Sequence, residues 1–411
     1  MPVQEFSRAI AKISRKVSGL FSGAPSPSPS PLPIRAPVTA KPFAPLLHDA
    51  GNSAAAIRIL VFADGPGATQ TISFDLPLLP ARESGKVQLT ILSEADFEHL
   101  CGADADQRVH DALSQYDPTH VIVSRFGGRG ASGIVSGCEK RGQSFVMHLD
   151  DNLFEVPEAL GPAKFNKYNA PARLARMRLL CERASTVYAS TEELARQLGT
   201  LGLSTPISAG AMYCAAPCAP VPYAPATPAV IGYMGSSGHA RDLEMIVPAI
   251  AEALREYPQV RFETFGSIKM PKALQAEFAG RISARPAAGS YREFMSAFQA
   301  MAWSVGLAPL EANPFNGCKA NTKFIEYTVA GMPCVASDTL VYQSSLAGGR
   351  GILASTEQEW RDAIRQLLGN PEMARKMVET AQDDLKTRWS QARLLEQLVD
   401  ICNLPKSLLD H

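Results

Sequence analysis

From Ile57 onward the chain alternates short, nearly unbroken apolar runs with longer stretches of helical or turn-rich character, and this rhythm limits the fold more than any other feature. IRILVFA at 57–63 is followed by similar runs at 87–92, 120–124 and 145–149, each the length of a strand and apolar enough to be buried on both faces. Strands separated by helix-length connections run parallel with right-handed crossovers, so the pattern predicts a doubly wound sheet. Residues 186–189 add a short strand, Thr191 is placed to cap a helix over 192–198, and 207–213 reads as the last strand of this half.

CAAPCAPVPYAPATP, from Cys214 to Pro228, holds little that packs and reads as a hinge over 215–228. The rhythm then restarts, with strands expected at 230–234, 260–265, near Ile282, at 305–310 and from Pro333, and helices at 241–257, 272–278 and 291–301. The expected architecture is therefore α/β: two Rossmann-like domains, 55–214 and 229–390, facing a cleft, with a last helical segment at 391–411.

Lys plus Arg and Asp plus Glu both number 40, so the formal charge is zero, and no basic excess supports nucleic-acid binding. The eight cysteines are scattered without a CxxC or histidine partners at ligand spacing, so no metal site is expected. They suit a reduced, cytoplasmic protein. No run approaches the ~20 apolar residues that span a bilayer. Residues 3–22 still carry Phe6, Ile10, Ile13, Val17 and Leu20 at helical spacing, opposite Arg8, Lys12, Arg15 and Lys16. Such a basic amphipathic helix lies on an anionic membrane surface or packs on protein. The Pro/Ser-rich residues 23–54 read as its tether.

Three places concentrate chemistry. In GLAPLEANPFNGCKANTKFIEYTVAGMPCVASD, from Gly306 to Asp338, a strand leads through a polar loop to a helix expected from about Lys319. On that helix Lys319, Lys323 and Glu326 would stand at i, i+4 and i+7 on one face. Two lysines at a helix start oppose the macrodipole, an arrangement suited to a bound diphosphate. The plainer alternative is an exposed Lys323–Glu326 pair and a solvated Lys319. In IGYMGSSGHARDLEMI, Gly235, Ser236, Ser237 and Gly238 form a small-residue loop into a helix that carries His239 and Arg241 at its start and Asp242 in its first turn, and small residues there let a phosphate approach the backbone N–H groups. In the first half, Arg125 opens a glycine-rich loop after one strand, with Arg129 at its far edge. His148, Asp150 and Asp151 end the next strand, with alternation placing Asp151 opposite the other two. The aspartates could serve an acceptor, cap a helix or hold a metal.

FIEYTVAGMPCVASD resembles the E-a-x-a-x-G-x-P-V-V-A-S segment of GT-B glycosyltransferases, particularly the retaining, family 4-like group that includes transferases of bacterial surface polysaccharides. The resemblance covers roughly residues 55–405. It implies that Glu326 holds the ribose of a nucleotide sugar, that the 235–238 loop lies along the diphosphate with a cation from His239, Arg241 or, after the next strand, Lys269, and that LDDNLFEVP belongs to the acceptor side. The co-substrate would be a nucleotide diphosphate sugar with no further cofactor, and the acceptor a glycan or lipid-linked molecule. The family carries two glutamates separated by seven residues, and the first position is Cys318 here, leaving Glu311, Asn313 and Asn316 as replacements. The same fold serves epimerases, phosphorylases and non-catalytic modules, which stay open.

Overall fold

The computed structural model describes residues 41–52, 54–211, 219–287 and 289–410. The amphipathic helix at 3–22, most of the tether, and Cys214 and Cys218 lie outside the described residues.

Two sheets are present. The first contains β1 (Leu47–His48), β2 (Ile57–Ala63), β3 (Val87–Ser93), β4 (His120–Ser124), β5 (Phe145–Leu149), β6 (Thr186–Ala189) and β7 (Ile207–Ala209), in the order β1-β3-β2-β4-β5-β6-β7. Every pair is parallel except β1 with β3. The second contains β8 (Val230–Gly235), β9 (Arg261–Gly266), β10 (Ile282–Arg285), β11 (Val305–Ala308), β12 (Cys334–Ser337) and β13 (Ile352–Ala354), in the order β10-β9-β8-β11-β12-β13, all parallel. The strands are as apolar as two covered faces require: all seven β3 residues and all six β8 residues are buried. In each sheet the order reverses beside the first long strand, between β2 and β4 and between β8 and β11, and crevices for ligands open at such points.

The Gln391–Ile401 helix returns to the first lobe. Its Leu395, Leu398 and Val399 pack with Ile59, Val61 and Leu89, its Gln391 side chain donates to Leu76 O, and Gln397 Nε2 donates to Ala211 O at 2.8 Å.

Several boundaries differ from expectation. The tether does not run to residue 54: β1 pairs on the free edge of β3, with Leu47 opposite Ile91, and Phe43 packs against Phe97 and Tyr116. The expected hinge is not empty of packing either. Tyr223 is buried in the second lobe's core, and Val221 N and Ala226 N donate to Val329 O and Ala302 O at 3.0 and 2.8 Å. The last strand of the first lobe is three residues long rather than seven. The 241–257 helix is instead two, Ala240–Glu244 and Val247–Glu256, because Pro248 in the first turn of the second cannot donate into a preceding turn.

Candidate active site

The Gly306–Asp338 stretch folds differently from its simplest reading. Asn313 caps a one-turn helix, Pro314–Gly317, by accepting from Asn316 N at 2.8 Å, and the next helix begins only at Thr322. Lys319 therefore sits in the turn between helices, and Lys319, Lys323 and Glu326 do not share one helical face. Capping chemistry decided this: an Asn-Pro pair starts a helix, and three residues on the chain must turn again.

The turn brings both lysines to the interlobe gap. Lys319 and Lys323 line a cavity of about 170 Å³, with Thr322, His239 and Tyr342 from the second lobe and Asp150 and Asp151 from the first. A larger space of about 650 Å³ adjoins it, lined by Asp64, Arg125, Asp150, Asp151, Lys164 and Tyr168 on one side and Ser236, Gly238, His239 and Lys319 on the other. A third, of about 600 Å³, is lined by Met234, Ser290, Tyr291, Phe294 and Glu326, with residues 66–68 and 70–71 opposite.

On the first-lobe side, Asp150 and Asp151 do not face opposite ways. β5 ends at Leu149, so strand alternation no longer applies, and Arg125 Nη1 ion-pairs with both aspartates, at 3.1 Å from Asp151 Oδ2. Arg125 Nε lies 3.1 Å from Asp64 Oδ2, Tyr168 Oη donates to the same oxygen at 2.9 Å, and Thr69 Oγ1 donates to Asp150 Oδ2 at 2.5 Å. Arg125 has a φ of 58°, a left-handed conformation that costs a non-glycine residue, and such strain recurs at functional sites. Burial works against charge on this guanidinium, but Asp150, Asp64 and Asp151 hold it well above its ordinary range. Burial pushes Asp150 up, whereas for Asp151 it is outweighed by Lys319 and Arg125, which bring the carboxyl down to about 2. His148 is a core residue: its Nδ1 lies 2.9 Å from Ser124 Oγ, and burial followed by Arg125 lowers it to about 3. The glycine-rich loop serves packing, since a Cβ on Gly127 or Gly128 would meet the side chains of Arg173 and Met177 or of Glu94. Arg129 turns away to Leu100 O.

Lys319 Nζ lies 3.2 Å from Asp151 Oδ1, an ion pair between lobes. The turn before it is seated in the first lobe: Phe315 and Cys318 belong to that lobe's core, Thr191 Oγ1 donates to Cys318 O at 2.8 Å, and Gln197 Nε2 to Pro314 O at 2.9 Å. Position 318 is thus a core position, where a thiol fits and a carboxylate would be desolvated.

On the second-lobe side, Gly235 ends β8 rather than opening the loop, and Ser236 and Gly238 reach the cavity while Ser237 N is held by Ser267 Oγ. Asp242 is turned inward, accepting from Glu311 N at 2.8 Å, with His239 Nδ1 2.7 Å from its other oxygen. Burial would raise Asp242, but His239 and the Glu311 amide bring it below its usual value. Lys323, followed by burial, lowers His239 to about 4, so the neutral ring directs its Nδ1 proton at Asp242. Asn316 Nδ2 bonds Glu311 O, and the Glu311 carboxylate lies 3.6 Å from Arg241; both residues shape the turn and line neither lysine cavity. Glu326 is buried rather than one half of an exposed pair, and Tyr291 Oη donates to its Oε1 at 2.8 Å. Burial raises Glu326 to about 7 and lowers Lys323 to about 8.

Sequence reasoning missed Asp64, Thr69, Lys164, Tyr168 and Tyr291. Asp64 follows β2 directly, the same strand-end signal that marked Asp150; the others lie on turns and helices without a local signature. Among the described residues no His, Cys, Asp and Glu group is arranged to hold a metal ion, and no helix is long and apolar enough to cross a membrane.

The fold is shared with solved structures over most of their length. The sucrose-phosphate synthase of Thermosynechococcus elongatus has 13% identity and a TM-score of 0.61, over 84% of this chain and 98% of that one. Anabaena HepE in complex with UDP-glucose has 14% identity and a TM-score of 0.56, over 84% and 99%. A UDP-forming α,α-trehalose-phosphate synthase of Burkholderia xenovorans has 11% identity and a TM-score of 0.54, over 84% and 99%. The fold is GT-B. Within this GT-B chain, residues 244–400 match a family model described as glycosyl transferase-like, which takes in the Lys319, Lys323 and Glu326 region. No curated protein sequence matches significantly.

Proposed function

We propose that this chain is a glycosyltransferase that moves a sugar, with retention and without a metal ion, from a nucleotide diphosphate sugar to a hydroxyl of a glycan or lipid-linked acceptor. The observation that carries this is the convergence of Lys319 and Lys323 on one interlobe cavity beside the buried carboxylate of Glu326. The match of residues 244–400 to the glycosyl transferase-like family and the UDP-glucose bound by HepE support it.

In the transfer, the bond between the anomeric carbon and the diphosphate breaks, the acceptor hydroxyl oxygen bonds to that carbon and gives up its proton to the departing diphosphate, and the diphosphate, which carries away the bonding electron pair, gains charge in the transition state. Preorganised cations aimed at that charge stabilise the transition state more than the ground state. Lys319 and Lys323 hold that position, so ammonium groups serve where other enzymes use a metal ion. Glu326 accepts from the ribose hydroxyls, and Met234, Tyr291 and Phe294 offer apolar area beside it. The acceptor enters from the first-lobe side, past Arg125, Asp150, Asp151 and Tyr168. The setting is assembly of a cell-surface polysaccharide or glycoconjugate in the cytoplasm, with residues 3–22 on the inner membrane face or on a partner protein.

Thermal unfolding against a panel of UDP-, GDP- and ADP-sugars, followed by donor hydrolysis and transfer assays, tests this reading. A true donor at about 100 times its dissociation constant adds about 2.7 kcal/mol of stability. The buried Cys318, where the family has a sugar-binding acid, favours one other outcome, a GT-B module that binds nucleotide without chemistry. Stabilisation with neither hydrolysis nor transfer would select that module, and no stabilisation by any nucleotide would reject both.

A further inference from the structure

Most cations of the cleft are matched by anions: Arg125 by three aspartates, Lys319 by Asp151, and Lys323 by the nearby charges of Asp242 and Glu326. Lys164 is not. It stands on the Pro162–Tyr168 helix of the first lobe, its side chain is exposed, and among the described residues no carboxylate lies within ion-pair distance. Its ammonium nonetheless lies against the small-residue loop of the second lobe. A Cβ built on Gly238 would be 3.3 Å from Lys164 Nζ and 3.9 Å from Ser236 Oγ, so the missing side chain leaves room where an ammonium and a hydroxyl flank the same glycine. The Glu158–Leu160 turn just before this helix packs on the Ser237–His239 turn, which fixes the approach. Lys164, Ser236, Gly238, His239 and Lys319 then line one cavity.

We propose that Lys164 is a third cation of the diphosphate site, supplied by the lobe opposite the nucleotide, so that the bound diphosphate is gripped from both sides of the cleft. The proposal rests on the glycosyltransferase reading and adds to it a binding residue from the acceptor lobe. An unpaired ammonium facing a glycine loop beside Lys319, with Lys323 in the adjoining cavity, is an unfavourable arrangement for the empty protein, since like charges in a cleft repel and Lys164 lacks a counter-ion. A dianion between them removes that repulsion and couples binding to the apposition of the lobes. The glycine at 238 matters because phosphate oxygens and the ammonium must both approach the backbone there.

The test is calorimetric titration of the full chain with UDP and GDP, then with UMP and GMP, comparing wild type, Lys164→Ala and Lys164→Arg. The exposed side chain makes both variants safe for folding. Loss of one charge-assisted contact predicts about tenfold weaker binding of the diphosphate to Lys164→Ala, a monophosphate affinity within about twofold of wild type, and recovery in Lys164→Arg. The diphosphate deficit should shrink in high salt, because the ammonium is exposed. An unimpaired Lys164→Ala, or an equal loss for mono- and diphosphate, would overturn the proposal while leaving the enzyme reading intact. Failure of wild type to bind any nucleoside diphosphate would overturn both.

Discussion

The phenol of Tyr291 donates to Glu326 Oε1 at 2.8 Å, joining the first turn of one helix to the middle of another across the floor of the cavity that Met234, Ser290 and Phe294 also line. Burial raises Glu326 to about 7, and the Tyr291 hydrogen bond opposes it. Other charged or titratable groups nearby are Lys323 on the same helix, Tyr342 on the helix after β12, and Asp75 across the cavity. Tyr291→Phe should therefore raise Glu326 further. If Glu326 holds the ribose as proposed, nucleotide affinity should fall several-fold near pH 7 and recover toward wild type at pH 8.5, because only an ionised carboxylate can accept from two hydroxyls. A deficit that ignores pH would mean that Tyr291 acts through packing alone.

The same raised value affects stability. A carboxyl raised in the folded state favours folding while protonated, and that contribution is lost as pH rises from about 4.5 toward about 7. Glu326→Gln has no such loss. Its stability relative to wild type should increase across that window and level off above it, by at most about 3 kcal/mol, measured by urea unfolding at pH 5, 6, 7 and 8.

Lys323 offers a kinetic signature. Burial lowers it to about 8, so its charge is lost as pH rises through that value, while Glu326 gains charge near 7. If both charged forms are needed, kcat/KM in donor hydrolysis or transfer should show a narrow optimum between these values. Lys323→Arg, which cannot be deprotonated in this range, should move the alkaline limb out of sight. Lys323→Ala should keep the fold and lose about 10–150-fold in turnover, as one charge-assisted contact of about 1.5–3 kcal/mol implies.

Arg125 neutralises a buried carboxylate cluster, so Arg125→Met should destabilise the chain by about 3–5 kcal/mol, the cost of leaving buried charges unpaired. Asp151→Asn should cost less, since its partner Lys319 can turn to solvent or to ligand. The lowered Asp151 contributes stability above its unfolded value, lost only as pH falls from about 4 toward about 2. Chemical denaturation of both variants at pH 7 ranks them, and equal losses would contradict the placement of charge.

Cys318→Glu would restore the acid that the GT-B resemblance expects. Because Cys318 is fully buried in the first lobe's core, this change should destabilise by several kcal/mol and improve no activity, whereas Cys318→Ala should cost only about 1–2 kcal/mol. A stable, more active Cys318→Glu would show that the 314–319 turn leaves the first lobe during the reaction.

Two kinds of information were separable in this chain. The alternation of apolar runs with helical connections specified two parallel sheets, because burial on both faces and right-handed crossover are set by local composition and chain direction. The position of Arg125, Asp150 and Asp151 at the gap was legible for the same reason, since strand ends in such sheets point to the cleft, whereas Glu326, in the middle of a helix, stood out only through the resemblance its segment carries. Tertiary structure alone decided what these groups meet. Nothing local could show that the turn carrying Cys318 belongs to the core of the other lobe, that Lys319 leaves the helix to reach Asp151, or that Lys164 lies over Gly238. Those contacts join residues more than seventy positions apart, and their partners are chosen by how the lobes pack, which no periodicity records.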